Sequence, residues 1–224
     1  MKNIAIIPAR GGSKRLPNKN ILPFDGIPLL AHSILYAQAN YPIIDEVYVS
    51  TDSPAIKKIA LEYGAQVIDR PAALSGDFEP TISALKQVVL SLDFEVDSIL
   101  VLQVTNPLRP ANLLKAAFEI YLQHNLDSLF TVTRDFKKLG KITENRFLPL
   151  NYEIGQRSQD LEPLFFENGL LYISKSTLVL KDVLLSENAY PYEISHPFAK
   201  IDIDTQEDLD YATWILNHYK ANEK

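Results

Sequence analysis

The sequence of 224 residues contains no cysteine, which excludes disulfide bonds, thiolate metal sites and cysteine nucleophiles. It has no apolar run approaching the roughly 18 residues that a membrane helix needs. The first apolar stretch, residues 4–9, is too short for a signal-peptide core and contains a proline. We therefore expect a cytoplasmic protein that has no contact with a membrane.

The sequence also lacks an excess of positive charge. Its 28 acidic and 22 basic residues give a net charge of −6, so non-specific binding to nucleic acid has no electrostatic support. An apolar fraction of 46% is ordinary for a globular protein and excludes wholesale disorder. We expect no nucleic acid among its partners.

Short β-branched runs alternate along the chain with longer segments of helical periodicity. Residues 4–7, 47–50 and 99–102 are such runs, and residues 28–40 and 110–121 are such helical segments. Strands that alternate with helices predict right-handed βαβ units. The expected fold class is therefore α/β, with a mostly parallel central sheet.

Residues 134–167 interrupt this alternation, because they are charged and irregular. A segment of that length without clear elements is usually a lid, a binding loop or an oligomer contact. We expect one domain, residues 1–224, that carries 134–167 as a small lid or dimerisation insertion. After it, residues 170–174 and 199–203 are predicted to be further strands.

A basic, glycine-containing loop follows the first predicted strand. Gly11 and Gly12 would let the backbone approach a ligand closely and adopt positive φ, which turns N–H groups toward an anion. Four cations within ten residues suggest a cradle for a polyphosphate: Arg10, Lys14, Arg15 and Lys19. The loop matches neither a Walker motif nor the dinucleotide fingerprint. The alternative is a solvated basic loop with turn glycines.

Two aspartates stand two residues apart near the end of the chain, in the segment 201–205. Asp202 and Asp204 would share one face of a strand, where paired carboxylates need a cation between them. Oxygen ligands of this kind suit Mg²⁺, which takes its remaining ligands from water and phosphate. The alternative is an acidic cluster that complements a helix dipole, since Thr205 and Asp208 form a predicted capping box.

Polar residues also follow the central strand and precede a later one. Gln103 and Arg109 would lie over the crevice of the sheet, where ligands bind, although a simple strand-to-helix turn explains them about as well. Asn168-Gly169 between apolar residues predicts a hairpin turn. Together with the basic loop and the aspartates, this predicts Mg²⁺-assisted chemistry on a nucleoside polyphosphate.

The same motifs closely resemble those of the acylneuraminate cytidylyltransferases, also called CMP-sialic acid synthetases. The resemblance covers essentially the whole chain and keeps the family's order, in residues 7–14, 19–20, 49–52, 70–71, 103–109, 159–161, 167–172 and 201–205. It implies a three-layer, Rossmann-like nucleotidyltransferase fold, usually a homodimer. It also implies an enzyme that couples a nine-carbon α-keto acid sugar to CTP and releases pyrophosphate.

The resemblance further implies roles for individual residues. The triphosphate would be bound by Arg10, Gly11, Gly12, Ser13, Lys14 and Lys19. Cytosine would be contacted by Asn20 and Arg70, with Thr81 nearby. The sugar would face Gln103, Asn168 and Tyr172, and its carboxylate Arg157. Mg²⁺ would be held by Asp202 and Asp204, which count with Arg10 and Lys19 as the catalytic residues. An aspartate or a metal-bound hydroxide would accept the proton of the attacking hydroxyl.

Some positions depart from the family pattern, and they bear on the sugar. Val104 and Asn106 replace the usual proline and serine, and Ser158 and Phe166 stand where arginines are common. Segments typical of the pseudaminate branch and of the CMP-Kdo synthetases are absent. Fewer cations and an added aromatic near the sugar make legionaminic acid an alternative to N-acetylneuraminate. Kdo is kept as a further alternative, although its typical segment is absent. A nucleotide-binding subunit without catalysis is a further alternative, against which the intact aspartate pair argues.

Overall fold

The computed structural model describes residues 2–222, and within them the central strands are buried on both faces. Ile4 and Ile6 of the first strand pack into one apolar core, whereas Ala5 and Ile7 pack into another. Successive side chains of a strand point to opposite faces, so a continuous apolar run needs helices on both sides. The predicted three-layer α/β arrangement is confirmed, and the outermost residues of the predicted domain, 1 and 223–224, lie outside the described part.

The strands are β1 (Lys2–Pro8), β2 (Pro23–Phe24), β3 (Ile27–Pro28), β4 (Glu46–Thr51), β5 (Gln66–Asp69), β6 (Val96–Val101), β7 (Ser128–Asp135), β8 (Gly140–Thr143), β9 (Arg146–Pro149), β10 (Leu164–Lys175) and β11 (Tyr190–Glu193). The α-helices are α1 (Leu29–Ala39), α2 (Pro54–Glu62), α3 (Thr81–Leu90), α4 (Leu113–Gln123), α5 (Ser176–Val179) and α6 (Gln206–Asn222).

The main sheet of the described chain has seven strands in the order β11-β7-β10-β6-β1-β4-β5. The strand pairs β1–β4, β1–β6, β4–β5 and β7–β11 are parallel. Only β10 among these strands runs antiparallel to its neighbours, β6 and β7. The prediction of a mostly parallel sheet is confirmed. The carboxyl ends of β1, β4 and β6 meet at one edge, so the loops that follow them converge there.

The helices divide between the two faces of the sheet. Buried side chains of α1, α2, α4 and α6 belong to one core, and those of α3 and α5 belong to the other. In the part of the chain that the structure describes, no helix is long and apolar enough to cross a membrane.

Two local predictions after the central strand are wrong. The segment 199–203 is not a strand: a short 3-10 helix, Pro197–Lys200, leads into an extended segment whose Ile203 N–H donates to the Thr105 carbonyl at 2.8 Å. Asn168-Gly169 is not a hairpin turn, because β10 continues through it. Gly169 has φ +74, and the register with β7 shifts there, so the feature is a bulge.

The predicted insertion 134–167 contains regular structure that its irregular sequence did not predict. β7 extends to Asp135 and β10 begins at Leu164, so the segment outside the main sheet is 136–163. It contains the antiparallel hairpin β8–β9, whose turn residues Glu144 and Asn145 both have positive φ. That backbone conformation matches the turns that two-residue hairpins favour.

Candidate active site

The loop after β1 is fixed against the loop after β4. The Gly11 N–H donates to Asp52 Oδ1 at 2.8 Å, and a Cβ on Gly11 would stand 2.9 Å from that of Ser53. Asn20 is buried, and its Nδ2 donates to the Arg10 carbonyl at 2.8 Å. Neither Gly11 nor Gly12 has positive φ, so that expectation is wrong. Gly11 is needed for the close approach of two loops rather than for an unusual turn.

The basic loop and the aspartate segment meet in the folded chain. Lys19 Nζ lies 2.7 Å from Asp204 Oδ1, and the Arg15 guanidinium also contacts this carboxylate. The Lys19 side chain is only 11% exposed, so its charge is directed into the cleft rather than into bulk water. These contacts join residues at opposite ends of the chain at one edge of the sheet.

A second carboxylate that sequence reasoning missed faces the same loop. Asp77 lies in the segment between β5 and α3, and its Oδ1 is 2.9 Å from Arg10 Nη1. Lys14 also pairs with it. Hydrogen bonds from Lys14 and Arg10 hold the pKa of Asp77 below its usual value. Because no motif surrounds Asp77, only its position in the fold identifies it.

These groups line a cavity of about 470 Å³, which we call the basic cavity. Its four cations outnumber its two carboxylates, in a chain whose net charge is negative. Such a concentration of positive charge attracts polyanions. Its polar lining includes Arg10, Ser13, Lys14, Lys19, Asn20 and Asp204.

A neighbouring cavity of about 280 Å³, the Arg70 cavity, shares Arg10 and Asp77 with the basic cavity. Arg70 is held by hydrogen bonds to Ser50, from Nε to Oγ at 3.1 Å and from Nη2 to the carbonyl at 3.0 Å. Burial lowers the pKa of its guanidinium. Thr81 and Gln103 also line this cavity, whereas Asn20 does not. The two residues that the resemblance assigned to cytosine therefore line neighbouring cavities rather than the same one.

A third cavity of about 250 Å³, the Asn168 cavity, meets the Arg70 cavity at Gln103. Gln103 Nε2 donates to the Tyr172 hydroxyl at 3.4 Å, and that hydroxyl donates to Glu167 Oε1 at 2.5 Å. Burial and the adjacent Glu167 carboxylate raise the pKa of Tyr172. The three residues predicted to face the sugar therefore line one cavity, which also includes Phe166, Lys200 and Asp202.

Asn168 itself is occupied by structural hydrogen bonds. Thr131 Oγ1 donates to its Oδ1 at 2.5 Å, and its Nδ2 donates to Thr133 Oγ1 at 3.0 Å. Both partners are on β7, so this carboxamide fixes the bulge of β10 beside the cavity. A Cβ on Gly169 would stand 2.8 Å from Asn106 Oδ1, which explains why the bulge carries glycine.

Asp202 and Asp204 alternate with the buried Ile201 and Ile203, as a shared face requires. Asp202 lines the Asn168 cavity and Asp204 lines the basic cavity, so the pair stands between them. Desolvation raises the pKa of Asp202, and the charge of Asp204 adds to this effect. No group of three or more acidic or histidine side chains suited to a metal occurs in residues 2–222. Two carboxylates nevertheless fit Mg²⁺, which takes further ligands from water and substrate phosphates.

Arg109 does not meet a ligand, so that interpretation of the sequence is wrong. It is buried, and it donates to the Leu170 carbonyl at 2.8 Å, the Gln103 carbonyl at 2.8 Å and Ser33 Oγ at 3.1 Å. Burial lowers its pKa to about 10. Arg109 therefore ties β10 and α1 to the backbone of Gln103, the residue at which two cavities meet.

Arg157 stands apart from the other predicted residues. Its guanidinium pairs with Asp160, from Nε to Oδ2 at 2.8 Å, on the exposed surface of the insertion. It lines none of the three cavities. A further cavity of about 570 Å³ lies between the end of β7 and α6. We call it the Arg134 cavity, and it shares Lys200 with the Asn168 cavity.

A family model described as Cytidylyltransferase matches residues 4–224. An N-acylneuraminate cytidylyltransferase of Streptococcus agalactiae is 35% identical over 238 residues, which cover 100% of this chain and 56% of that protein. This chain thus spans about half the length of that relative. A pseudaminic acid cytidylyltransferase of Campylobacter jejuni is 34% identical over 236 residues, which cover 100% of this chain and 99% of that protein. A solved structure of CMP:2-keto-3-deoxy-manno-octonic acid synthetase complexed with CTP has the same fold, with a TM-score of 0.75. It is 18% identical, and the match covers 98% of this chain and 100% of that one.

Proposed function

The chain belongs to the cytidylyltransferase family, and we propose that it transfers a cytidylyl group from CTP to a nonulosonic acid with release of pyrophosphate. The observation that carries this proposal is the continuity of three cavities. The basic cavity and the Arg70 cavity share Arg10, and the Arg70 cavity and the Asn168 cavity share Gln103. A polyphosphate, a base and a sugar acid can therefore bind side by side.

The basic cavity is proposed to bind the triphosphate. In the free protein, Asp77 pairs with Arg10 and Lys14, and Asp204 pairs with Lys19. These three positive charges are therefore already positioned for an anion. The cytosine would occupy the Arg70 cavity near Thr81, and the sugar acid the Asn168 cavity beside Tyr172. Asn20 is given a different role from the one that the resemblance implied, because it supports the Arg10 backbone.

The proposed reaction requires an in-line displacement at the α-phosphorus of CTP. The anomeric hydroxyl oxygen of the sugar forms a bond to this phosphorus, and the bond to the bridging oxygen of the β-phosphate breaks. The hydroxyl proton passes to a base, and pyrophosphate leaves with the electron pair. Positioning and charge neutralisation supply most of the catalysis in such transfers. Arg10, Lys14 and Lys19 would neutralise the charge that develops on pyrophosphate.

Asp202 and Asp204 are proposed to hold Mg²⁺ once the nucleotide is bound. Lys19, which pairs with Asp204 in the free protein, would bind the phosphates. When bound, Mg²⁺ would supply Lewis-acid neutralisation of phosphate oxygens.

The acid sugar is proposed to be N-acetylneuraminate or a related acid such as legionaminic acid. Phe166 lines the Asn168 cavity where the family often has arginine, so the cavity favours an apolar substituent at that point. Pseudaminic acid and Kdo belong in any test panel, because a relative and a structural neighbour are named for them.

The test is a pyrophosphate-release assay with CTP, MgCl₂ and a panel of N-acetylneuraminic, legionaminic, pseudaminic and Kdo acids. We expect turnover with at least one of the nine-carbon acids and no comparable rate with ATP, GTP or UTP. Asp202→Asn and Asp204→Asn should each lower kcat by at least about 100-fold, because each removes a charged ligand from the site of phosphoryl chemistry.

Asp127→Asn is a matched control, because it removes an exposed carboxylate that pairs with Lys175. Wild-type rates in both Asp202→Asn and Asp204→Asn would eliminate the metal assignment. CTP binding by calorimetry without release of pyrophosphate from any acid in the panel would instead indicate a nucleotide-binding subunit.

A further inference from the structure

The Asn168 cavity contains a cation to which neither the motifs nor the resemblance assigns a role. Lys200 ends the short 3-10 helix Pro197–Lys200. Its neighbours Ala199 and Ile201 are buried, and the Ile201 carbonyl accepts from Asn106 Nδ2 at 2.7 Å. The backbone on both sides of Lys200 is therefore fixed, while its side chain lies exposed at the cavity wall.

The charges around this cavity are unbalanced. Glu167 and Asp202 line it together with Lys200, and Lys200 is the one cation in that lining as the structure describes it. The Glu167 carboxylate accepts a hydrogen bond from Tyr172. Lys200 forms no ion pair with any residue of the described chain, 2–222. Lys200, without an ion pair among residues 2–222, thus lines a cavity whose other charged residues are negative.

A sugar acid that enters this cavity brings its carboxylate near Glu167, and near Asp202 until Mg²⁺ neutralises that residue. Glu167 would repel the carboxylate unless a cation lay beside it. Arg157, to which the resemblance assigned this task, is held by Asp160 outside the cavity. Lys200 is already in place.

We propose that Lys200 binds the carboxylate of the sugar acid, an inference that rests on the proposed function. The ammonium is a compact charge on a flexible stem, which suits a carboxylate that arrives with the sugar. Lys200 thereby makes the cavity selective for acid sugars over neutral ones. It acts in substrate binding rather than in the bond-forming step.

The Arg134 cavity provides a competing location for the carboxylate. It also contains Lys200, and the Nε atom of Arg134 is buried there without a hydrogen-bond partner among residues 2–222. Glu193 contributes a negative charge to its wall. Arg134 is therefore the second cation whose removal the experiment must include.

The experiment compares the sugar acid with its methyl ester in wild type and in Lys200→Met. For wild type we expect the KM for the ester to be about 10- to 100-fold higher than the KM for the acid, because the ester loses a charge-assisted hydrogen bond. Lys200→Met should raise the KM for the acid by a similar factor and should no longer distinguish acid from ester. The KM for CTP and kcat should stay within about twofold, and Lys200→Arg should recover most of the loss.

Three variants serve as matched comparisons. Lys115→Met removes an exposed lysine of α4 and should change nothing. Arg157→Met and Arg134→Met should keep the preference for acid over ester. An unchanged KM for the acid in Lys200→Met overturns the proposal. The proposal is also overturned if Lys200→Met still prefers acid over ester while Arg157→Met or Arg134→Met loses that preference.

Failure of the proposed function gives a different result, namely no pyrophosphate from wild type with any acid of the panel. In that event, calorimetric titration of the acid into protein saturated with CTP decides the role of Lys200. Weaker binding of the acid to Lys200→Met than to wild type supports the role. Equal binding, or no binding to either protein, rejects it.

Discussion

Asp77 holds two of the cations that the proposed chemistry needs for the triphosphate. Its carboxylate pairs with Arg10 and Lys14, and those two cations keep its pKa low, so it is charged at neutral pH. Under the proposed function, an arriving triphosphate would have to replace these contacts. Asp77 would then compete with the nucleotide for both cations.

We expect Asp77→Asn to lower the KM for CTP by about 2- to 5-fold, because it removes one negative charge from a cavity that binds an anion. Steady-state kinetics at varied CTP check this, with Asp127→Asn as an exposed control. The effect should shrink at high salt, which screens charges. A higher KM for CTP would contradict competition and would mean that Asp77 orders the loop instead.

The two arginines, Arg109 and Arg157, show what residue type alone leaves open. Both were predicted to meet a ligand, Arg109 from the sequence and Arg157 from the resemblance. Arg109 is enclosed by carbonyls from two other parts of the chain, whereas Arg157 pairs with Asp160 three residues away. The direction of a guanidinium depends on acceptors that the fold brings near it, and the local sequence does not contain that information.

At the scale of elements, α6 begins as predicted. Thr205 Oγ1 accepts from the Asp208 N–H at 3.2 Å, and Asp208 Oδ2 accepts from the Thr205 N–H at 2.8 Å, which is the reciprocal pattern of a capping box. This start of α6 follows directly on Asp204. The cap therefore contributes both to stability and to the placement of the aspartate pair.

Thr205→Ala should reduce the free energy of unfolding by about 1 kcal/mol, because it leaves an N–H at the first turn of α6 without its acceptor. Urea denaturation monitored by circular dichroism measures this loss. Thr213→Ala is the control, an exposed threonine in the middle of the same helix, and it should cost nothing or stabilise slightly. Equal losses in the two variants would show that the cap carries no special stability.

The bulge in β10 is a place where the local sequence predicted the wrong element. Asn-Gly is a strong signal for a hairpin, and the sequence around it is apolar, as a hairpin requires. In the fold, β7 pairs with β10 on both sides of the dipeptide, and Thr131 and Thr133 bind Asn168. Pairing with a neighbouring strand therefore overrides the local turn preference.

At the scale of the whole molecule, the insertion 136–163 exposes large apolar side chains. Ile142 is 79% exposed and Ile154 is 83% exposed. Phe147, Leu148 and Leu150 are exposed as well. Clustered apolar exposure of this kind marks an interaction surface. It supports the expectation that the chain forms a homodimer through this segment.

Light scattering after size-exclusion chromatography should therefore give about twice the chain mass of 25.3 kDa for wild type. The double variant Ile142→Lys, Ile154→Lys should elute as a monomer, because two charges would be buried unpaired at the contact. Leu122→Lys, which replaces an exposed leucine of α4, should leave the mass unchanged. A monomeric wild type would rule out this expectation.

The sequence by itself determined the α/β class, the positions of most strands and helices, the basic loop and the aspartate pair. These features follow from periodicity and residue type within short windows, which act locally. Only the tertiary structure decided that Lys19 meets Asp204, that Asp77 faces Arg10, that Arg109 is buried and that Lys200 rather than Arg157 lines the Asn168 cavity. Each of these contacts or placements depends on the strand order of the sheet, which is set by packing among residues far apart in the chain.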